Sequence, residues 1–300
     1  MTPTRSVEVY QVDAFTRQPF TGNPAGVVLG AEVLDDAQMQ AIARELNNAD
    51  TAFVLPPNGP DHDLRVRFFT PRSEAAFVGH ATLAVHAVLA QRDPRALRRQ
   101  ASGNSVIEVS ALPGDGGFSI RLPAPTLGRT LHPDEVTQAI DALGLASTAV
   151  DLRCPPRIAG KLSTRLLIGL EDAGALATMS PDLSQLARLS PVLGAAGYFL
   201  YATRGTRDGC DVESRMFCPA LGIPEDPVSG NAHGLLGGLL LEHGRLQVSN
   251  GQARFSGLQG HHMDRPGRVD VALDVAADGS CEGVRIGGQA VVVFQTRITL

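Results

Sequence analysis

The order of apolar and polar residues along the chain predicts a mixture of β-strands and α-helices. Alternating or short apolar segments bounded by turn-forming residues predict strands at 7–15, 26–29, 51–55, 64–69, 106–110, 118–122, 165–170, 198–202, 212–217, 267–273 and 289–300. Apolar residues at helical spacing predict a helix that begins after a cap at Asp35 or Asp36 and ends near Asn47. Helices are also predicted at 134–143 and 181–189, and a linker at 123–133.

Two further helices, at 81–90 and 232–241, are apolar on nearly every side. A helix without a polar face is buried on all sides, so each of them is predicted to form the centre of a core.

The sequence around these two helices is duplicated. The segment Arg67-Phe68-Phe69-Thr70-Pro71 matches Arg215-Met216-Phe217-Cys218-Pro219. Glu74 stands five residues before Gly79, and Glu225 stands five residues before Gly230. The two glycines are 151 residues apart, about half of the 300-residue chain. This spacing predicts duplication of a whole domain rather than a solenoid repeat.

Composition excludes several classes of protein. Hydrophobic residues make up 43% of the chain, and the net charge is −5 without a basic tract, which argues against nucleic acid and an anionic membrane as partners. No apolar run approaches the roughly 18 residues of a membrane span. Lys161 is the only lysine, and neither a phosphate-binding loop nor a dinucleotide-binding glycine motif is present. The four cysteines form no C-x-x-C pair and the histidines have no ligand spacing, so we expect no disulfide, no metal site and a reducing cytoplasm.

Each buried helix is preceded by the same kind of turn, Val78-Gly79-His80 in one half and Ser229-Gly230-Asn231 in the other. The free N–H groups at a helix N-terminus suit a carboxylate or a developing enolate. Alternatively, the glycines only allow a sharp turn and the polar residues cap the helices. The duplication favours binding, which makes Gly79, Ala81, Ser229, Gly230 and Asn231 candidate substrate-binding residues.

Three side chains are candidates for proton transfer. The dipole of the helix disfavours a charged His80, so a neutral imidazole that relays a proton is expected there. Asp226 is a base, a residue that orients His80, or a simple turn aspartate. By spacing alone, Glu45 would be interpreted as a solvated surface residue.

The chain resembles the phenazine-biosynthesis PhzF family, within the diaminopimelate-epimerase-like fold. The resemblance rests on a series of segments in this order: Val12-Asp13-Ala14-Phe15, Gly22-Asn23-Pro24-Ala25, Glu45, Asp50-Thr51-Ala52-Phe53, Phe69-Thr70-Pro71, Gly79-His80-Ala81-Thr82, Glu225 through Ala232, Gln259-Gly260 and Arg265-Pro266-Gly267.

The resemblance implies an α+β fold of two pseudo-symmetric lobes, each a rolled β-sheet or barrel around a central buried helix, with the active site between them. The last strand would return to the first lobe, giving lobes of 1–125 plus 286–300 and of 126–285.

The resemblance also implies a homodimeric isomerase that needs no cofactor and moves a proton and a double bond in a small anionic, carboxylate-bearing substrate. Glu45 falls on the general acid/base position, with His80 and Asp226 on supporting positions. Racemases of this fold carry a cysteine before each helix-opening glycine, where this chain has Val78 and Ser229. At the position after the second glycine the phenazine isomerase has serine, where this chain has Asn231.

Two alternatives remain. An epimerase would use Glu45 and Asp226 as opposed bases, and a non-catalytic protein would only bind small acids.

Overall fold

The computed structural model describes residues 6–114, 116–161 and 163–300, which form two compact units, 1–121 with 287–300 and 122–286. The first elements in chain order are β1 (Ser6–Ala14), β2 (Asn23–Leu29), α1 (Asp36–Leu46), β3 (Asp50–Leu55), β4 (Leu64–Phe69), β5 (Glu74–Ala75), α2 (Gly79–Ala90), β6 (Leu97–Ser102), β7 (Ser105–Ala111) and β8 (Phe118–Pro123).

The following elements are β9 (Leu127–Thr130), α3 (Pro133–Ala142), β10 (Arg157–Ala159), β11 (Arg165–Leu170), α4 (Gly174–Thr178), α5 (Leu183–Leu193), β12 (Gly197–Ala202), β13 (Val212–Cys218), β14 (Ile223–Asp226), α6 (Gly230–Glu242), β15 (Val248–Ser249), β16 (Gln252–Gln259), β17 (Gly267–Val275), β18 (Cys281–Gly288) and β19 (Ala290–Thr299).

The sheet of the first unit runs in the order β19, β1, β2, β3, β4, β6 and β7. The pairs β2–β3 and β4–β6 are parallel, and the others are antiparallel. The second unit repeats this pattern with β9, β10, β11, β12, β13, β16 and β17, of which β11–β12 and β13–β16 are parallel. The duplication predicted from sequence is therefore present in the strand pairing of each unit.

The two apolar helices have the central positions that the sequence predicts. Helix α2 packs against β1, β2, β3 and β19, and α6 packs against β9, β16 and β17. In α2, Ala81, Ala84, Val85 and Val88 are completely buried against apolar side chains of the surrounding strands. These contacts explain why neither helix has a polar face.

Helix α1 covers the other face of the first sheet through Met39, Ile42 and Ala43. Of the two aspartates that could cap it, Asp35 does so: its carboxylate accepts from the N–H of Gln38 at 2.8 Å, and the Gln38 amide oxygen accepts from the N–H of Asp35 at 3.1 Å. This reciprocal pair is a capping box and fixes where the helix begins.

Two sequence predictions about elements are wrong in detail. The predicted linker at 123–133 contains β9, which pairs with β10 through Leu127 and Thr130. The helix predicted at 181–189 begins at Leu183 and continues to Leu193. Pro191 lies in its last turn, where the loss of one backbone hydrogen bond does not end the helix.

Candidate active site

The first turn of α2 carries no side-chain cap. Thr82 donates from its N–H at 3.0 Å and from its hydroxyl at 2.9 Å to the carbonyl oxygen of Val78, which fixes the turn from inside. A Cβ atom added to Gly79 would meet no heavy atom within 4 Å. The N–H groups of Gly79, His80 and Ala81 thus belong to the unsatisfied end of a helix whose dipole favours an anion.

His80 follows at the second position of this helix, and its side chain is only 11% exposed. Burial lowers the pKa of His80 to about 4, so the imidazole is neutral near pH 7. Its Nε2 atom has no hydrogen-bond partner among the residues that the structure describes. The Oδ2 atom of Asp50 lies 3.7 Å from Nε2, which is longer than a hydrogen bond.

Asp50 is a neighbour of His80 that the sequence analysis did not single out. It begins β3 and pairs with Ala25 of β2, and its side chain is 15% exposed. Its sequence neighbourhood gives no signal of this role, because His80 is 30 residues away. Only the position of Asp50 within one of the motif segments set it apart from other aspartates.

Glu45 lies in the last turn of α1 with its side chain exposed. The helix ends directly after it, because Asn47 takes the left-handed conformation with φ of 52°. In the described part of the chain no hydrogen bond or ion pair joins Glu45 to His80. The carboxylate of Glu45 is therefore accessible from solvent.

The start of α6 differs from that of α2 because a side chain caps it. The hydroxyl of Ser229 accepts a hydrogen bond from the N–H of Ala232 at 3.3 Å, so Ser229 is the N-cap of α6. Gly230 is buried, whereas Asn231 at the second position is exposed. The two helix N-termini are therefore not equivalent in their free N–H groups.

A buried glutamine fixes the segment that leads into α6. The side-chain oxygen of Gln259 accepts from the N–H of Ser229 at 3.0 Å, and its amide nitrogen donates to the carbonyl oxygen of Asp226 at 2.6 Å. The following Gly260 has φ of 84°, and an added Cβ would lie 2.2 Å from the carbonyl oxygen of Arg265. Gln259 is a positioning residue that sequence reasoning missed, although it lies in a motif segment.

His233 holds the carbonyl of Ser229 as Thr82 holds that of Val78. Its Nδ1 atom donates to that oxygen at 2.8 Å, and burial lowers its pKa to about 4. The ring is fully buried and lies edge-on to Phe199, with the two ring centroids 5.0 Å apart. His233 is therefore part of the core that supports the turn.

Asp226 ends β14 with a partly buried side chain, opposite Met216 of β13. The structure thus brings the predicted residues together in two groups. Gly79, His80 and Ala81 form one helix turn beside Asp50. Asp226, Ser229, Gly230 and Asn231 form one continuous segment.

A two-thiol mechanism does not fit the residues at these turns. Val78 and Ser229 precede the helix-opening glycines, and burial raises the pKa of the Cys218 thiol to about 12. No group of three or more His, Cys, Asp or Glu side chains suited to a metal ion occurs among the described residues. None of the described helices has the length and hydropathy of a membrane span.

The comparison with protein families matches residues 12–296 to the family PhzC-PhzF, described as phenazine biosynthesis-like protein. An uncharacterized isomerase of Clostridium acetobutylicum is 33% identical over 300 residues, covering 99% of each chain. The trans-2,3-dihydro-3-hydroxyanthranilate isomerase of Pseudomonas aeruginosa is 30% identical, covering 96% of this chain and 98% of that one.

Among solved structures, a phenazine biosynthesis protein of the PhzF family from Bacillus anthracis superposes with a TM-score of 0.88 at 24% identity. The match covers 99% of this chain and 100% of that one. The α+β, epimerase-like fold predicted from the sequence is confirmed.

Proposed function

Since the chain belongs to the PhzC-PhzF family of phenazine biosynthesis-like proteins and is an isomerase, we propose that it moves a proton and a double bond within a small carboxylic acid without a cofactor. The observation that carries the proposal is His80, a buried neutral imidazole beside Asp50 at an uncapped helix N-terminus. A neutral imidazole carries one ring nitrogen that accepts a proton and one N–H that donates one.

In this proposal Glu45 is the general acid/base. Its carboxylate is exposed, so it can remove a proton from the substrate and return it to another carbon of the same molecule. His80 donates or relays a proton, and Asp50 stabilises the imidazolium that forms when His80 accepts one. A positioned acid/base contributes roughly 10²–10⁴-fold to the rate, so electrostatic stabilisation of the enolate must supply the rest.

The negative charge of the substrate is assigned to helix N–H groups. Gly79 and Ala81 offer them at the start of α2, and Gly230 and Asn231 offer them at the start of α6. Ser229 maintains the α6 turn, and Asp226 is held beside it by Gln259.

The substrate proposed for the first test is trans-2,3-dihydro-3-hydroxyanthranilate, the compound in the name of the Pseudomonas aeruginosa relative. It carries the carboxylate that the helix N-termini require and a ring in which the double bond can move.

Incorporation of deuterium from D₂O into the product tests the role of Glu45. We expect Glu45→Gln to bind the substrate and to abolish exchange, and Glu32→Gln, an exposed glutamate of the same unit, to behave as the wild type. Full exchange in Glu45→Gln would refute the assignment.

The same experiment separates the alternatives. Exchange with loss of stereochemistry at one carbon would indicate an epimerase that uses Glu45 and Asp226. Tight binding without exchange across a panel of acids would indicate a binding protein.

The proposal also covers the cellular compartment and the oligomeric state of the protein. Its four cysteines are free, which suits a reducing cytoplasm. A homodimer is proposed, and light scattering coupled to size-exclusion chromatography would refute it by giving the mass of a single 31.6 kDa chain.

A further inference from the structure

Arg165 carries a buried positive charge. It begins β11 and is only 9% exposed. Its Nη1 atom donates to the carbonyl oxygen of Thr164 at 2.9 Å, and its Nε atom is buried without a hydrogen-bond partner in the residues that the structure describes. No carboxylate of the described chain forms an ion pair with it.

This arrangement is costly for the folded protein. Burying a charge without a partner is strongly unfavourable, and arginine cannot relieve the cost by losing its proton. An anionic ligand would remove the penalty, because a guanidinium forms strong, paired hydrogen bonds with a carboxylate.

The side chain of Arg165 is directed past Gly197, its neighbour on the parallel strand β12. A Cβ added to Gly197 would lie 3.2 Å from Cδ of Arg165 and 2.5 Å from Sγ of Cys218. The absence of a side chain at Gly197 therefore leaves the space that the stem of Arg165 occupies.

This places Arg165 near the segment that leads into α6. Cys218 and Asp226 lie on the paired strands β13 and β14. Burial raises the pKa of the Cys218 thiol, while the charge of Arg165 lowers it and the charge of Asp226 raises it further.

The internal repeat shows which residue of the first unit corresponds to Gly197, the neighbour of Arg165. Thr51 pairs with Phe69 in the first unit as Tyr198 pairs with Phe217 in the second, which makes Gly197 the counterpart of Asp50. The first unit thus has a carboxylate beside the start of its central helix. At the corresponding place the second unit has a glycine, and the guanidinium stem of Arg165 lies beside it.

We propose that Arg165 forms an anion subsite with the N–H groups at the start of α6 and binds the carboxylate of the substrate. This rests on the proposed function and adds a positively charged side chain to the proposed carboxylate site at the start of α6.

The test uses benzoate as the anionic probe and benzamide as its neutral counterpart of the same shape. Thermal melts and isothermal titration are recorded for the wild-type chain, Arg165→Met, Arg165→Lys and Arg188→Met, the last changing an arginine on the exposed face of α5. We expect benzoate, and not benzamide, to stabilise the wild type and Arg188→Met. Arg165→Met should weaken benzoate binding about tenfold or more, and Arg165→Lys should retain part of it.

The melting temperature without ligand excludes a merely structural role. Because the variant removes an unpaired buried charge, we expect Arg165→Met to be at least as stable as the wild type. Failure of benzoate to bind the wild type, or equal binding by Arg165→Met, would overturn the proposal. So would a large loss of stability in the unliganded variant.

These binding experiments involve no turnover, so they fail independently of the proposed function. Deuterium exchange that persists in Glu45→Gln would remove the catalytic assignment while the anion subsite stands. Loss of exchange in Glu45→Gln with unchanged binding in Arg165→Met would do the reverse.

Discussion

The guanidinium of Arg215 forms a two-point ion pair with the carboxylate of Glu225. Nε and Nη2 donate to the two carboxylate oxygens at 2.9 and 2.8 Å, and the guanidinium carbon lies 5.0 Å from the ring centroid of Phe217. The pair joins β13 to β14, the hairpin that leads into α6.

The first unit contains the same three-residue arrangement. Arg67 donates to both oxygens of Glu74 at 2.7 and 2.8 Å and lies 5.1 Å from the ring centroid of Phe69. The arginine, phenylalanine and glutamate that mark the duplication in the sequence therefore stabilise the hairpin before each central helix.

Breaking the two pairs should cost different amounts of stability. The side chains of Arg215 and Glu225 are 12% and 16% exposed, whereas Glu74 is 46% exposed. We expect Glu225→Gln to lower the free energy of unfolding by about 1–3 kcal/mol and Glu74→Gln by less than about 1 kcal/mol. Urea denaturation measures both, and equal losses would contradict the difference in burial.

Two glycines should respond oppositely to a methyl group. Gly79→Ala adds a Cβ that meets no atom within 4 Å, at a helical position where alanine is favoured, so the melting temperature should stay or rise. Substrate binding should weaken because the methyl group lies beside the free N–H groups.

Gly260→Ala forces a Cβ to 2.2 Å from a carbonyl oxygen at a φ of 84°, and should lower the free energy of unfolding by about 2 kcal/mol or more. Calorimetry and ligand titration test both, and a destabilised Gly79→Ala would contradict the open space.

Buried histidines should make the protein sensitive to acid. Burial lowers the pKa of His80, His86 and His233 from 6.5 to about 4. Between these pH values the histidines of the unfolded chain bind protons that those of the folded chain do not. The free energy of unfolding therefore has its full value above pH 6.5 and decreases as the pH falls towards 4, by up to about 3 kcal/mol per histidine.

The slope of unfolding free energy against pH provides the measurement. We expect His86→Leu to reduce this slope, whatever its effect on absolute stability. An unaltered slope in His86→Leu would show that His86 does not remain neutral.

The pair of Asp50 and His80 should matter for turnover rather than for folding. Asp50→Asn removes the charge 3.7 Å from Nε2 of His80 and should lower kcat about 10²-fold with little change in KM. Asp141→Asn, on the exposed surface of α3, is the control. A fall in the melting temperature of Asp50→Asn that parallels the fall in kcat would instead assign Asp50 to the fold.

The fold was predictable where a pattern of residues is local. Helices α1, α2 and α6 have a clear periodicity or composition, and their centres are correct. Strands β16 and β18 escaped prediction because they carry polar residues and glycines, such as Gly257 and Gly283, that isolated strands disfavour. Pairing with neighbouring strands stabilises these two strands, although their own sequences have low strand propensity.

The sequence marks candidate site residues only where a motif contains them. His80 and Ser229 stand beside the helix-opening glycines and could be found from the duplication. Asp50, Gln259 and Arg165 act through contacts across the sheet, so their roles depend on strand register. No short stretch of sequence encodes such a register.

The return of β19 to the first unit imposes an order on biosynthesis. Residues 287–300 are translated after the whole second unit, yet β19 pairs with β1 along its length. On the ribosome, the segment 122–286 can therefore finish folding while β1 still exposes an unpaired edge, which is a surface prone to aggregation. The first unit is therefore the first to be synthesised and the last to be completed.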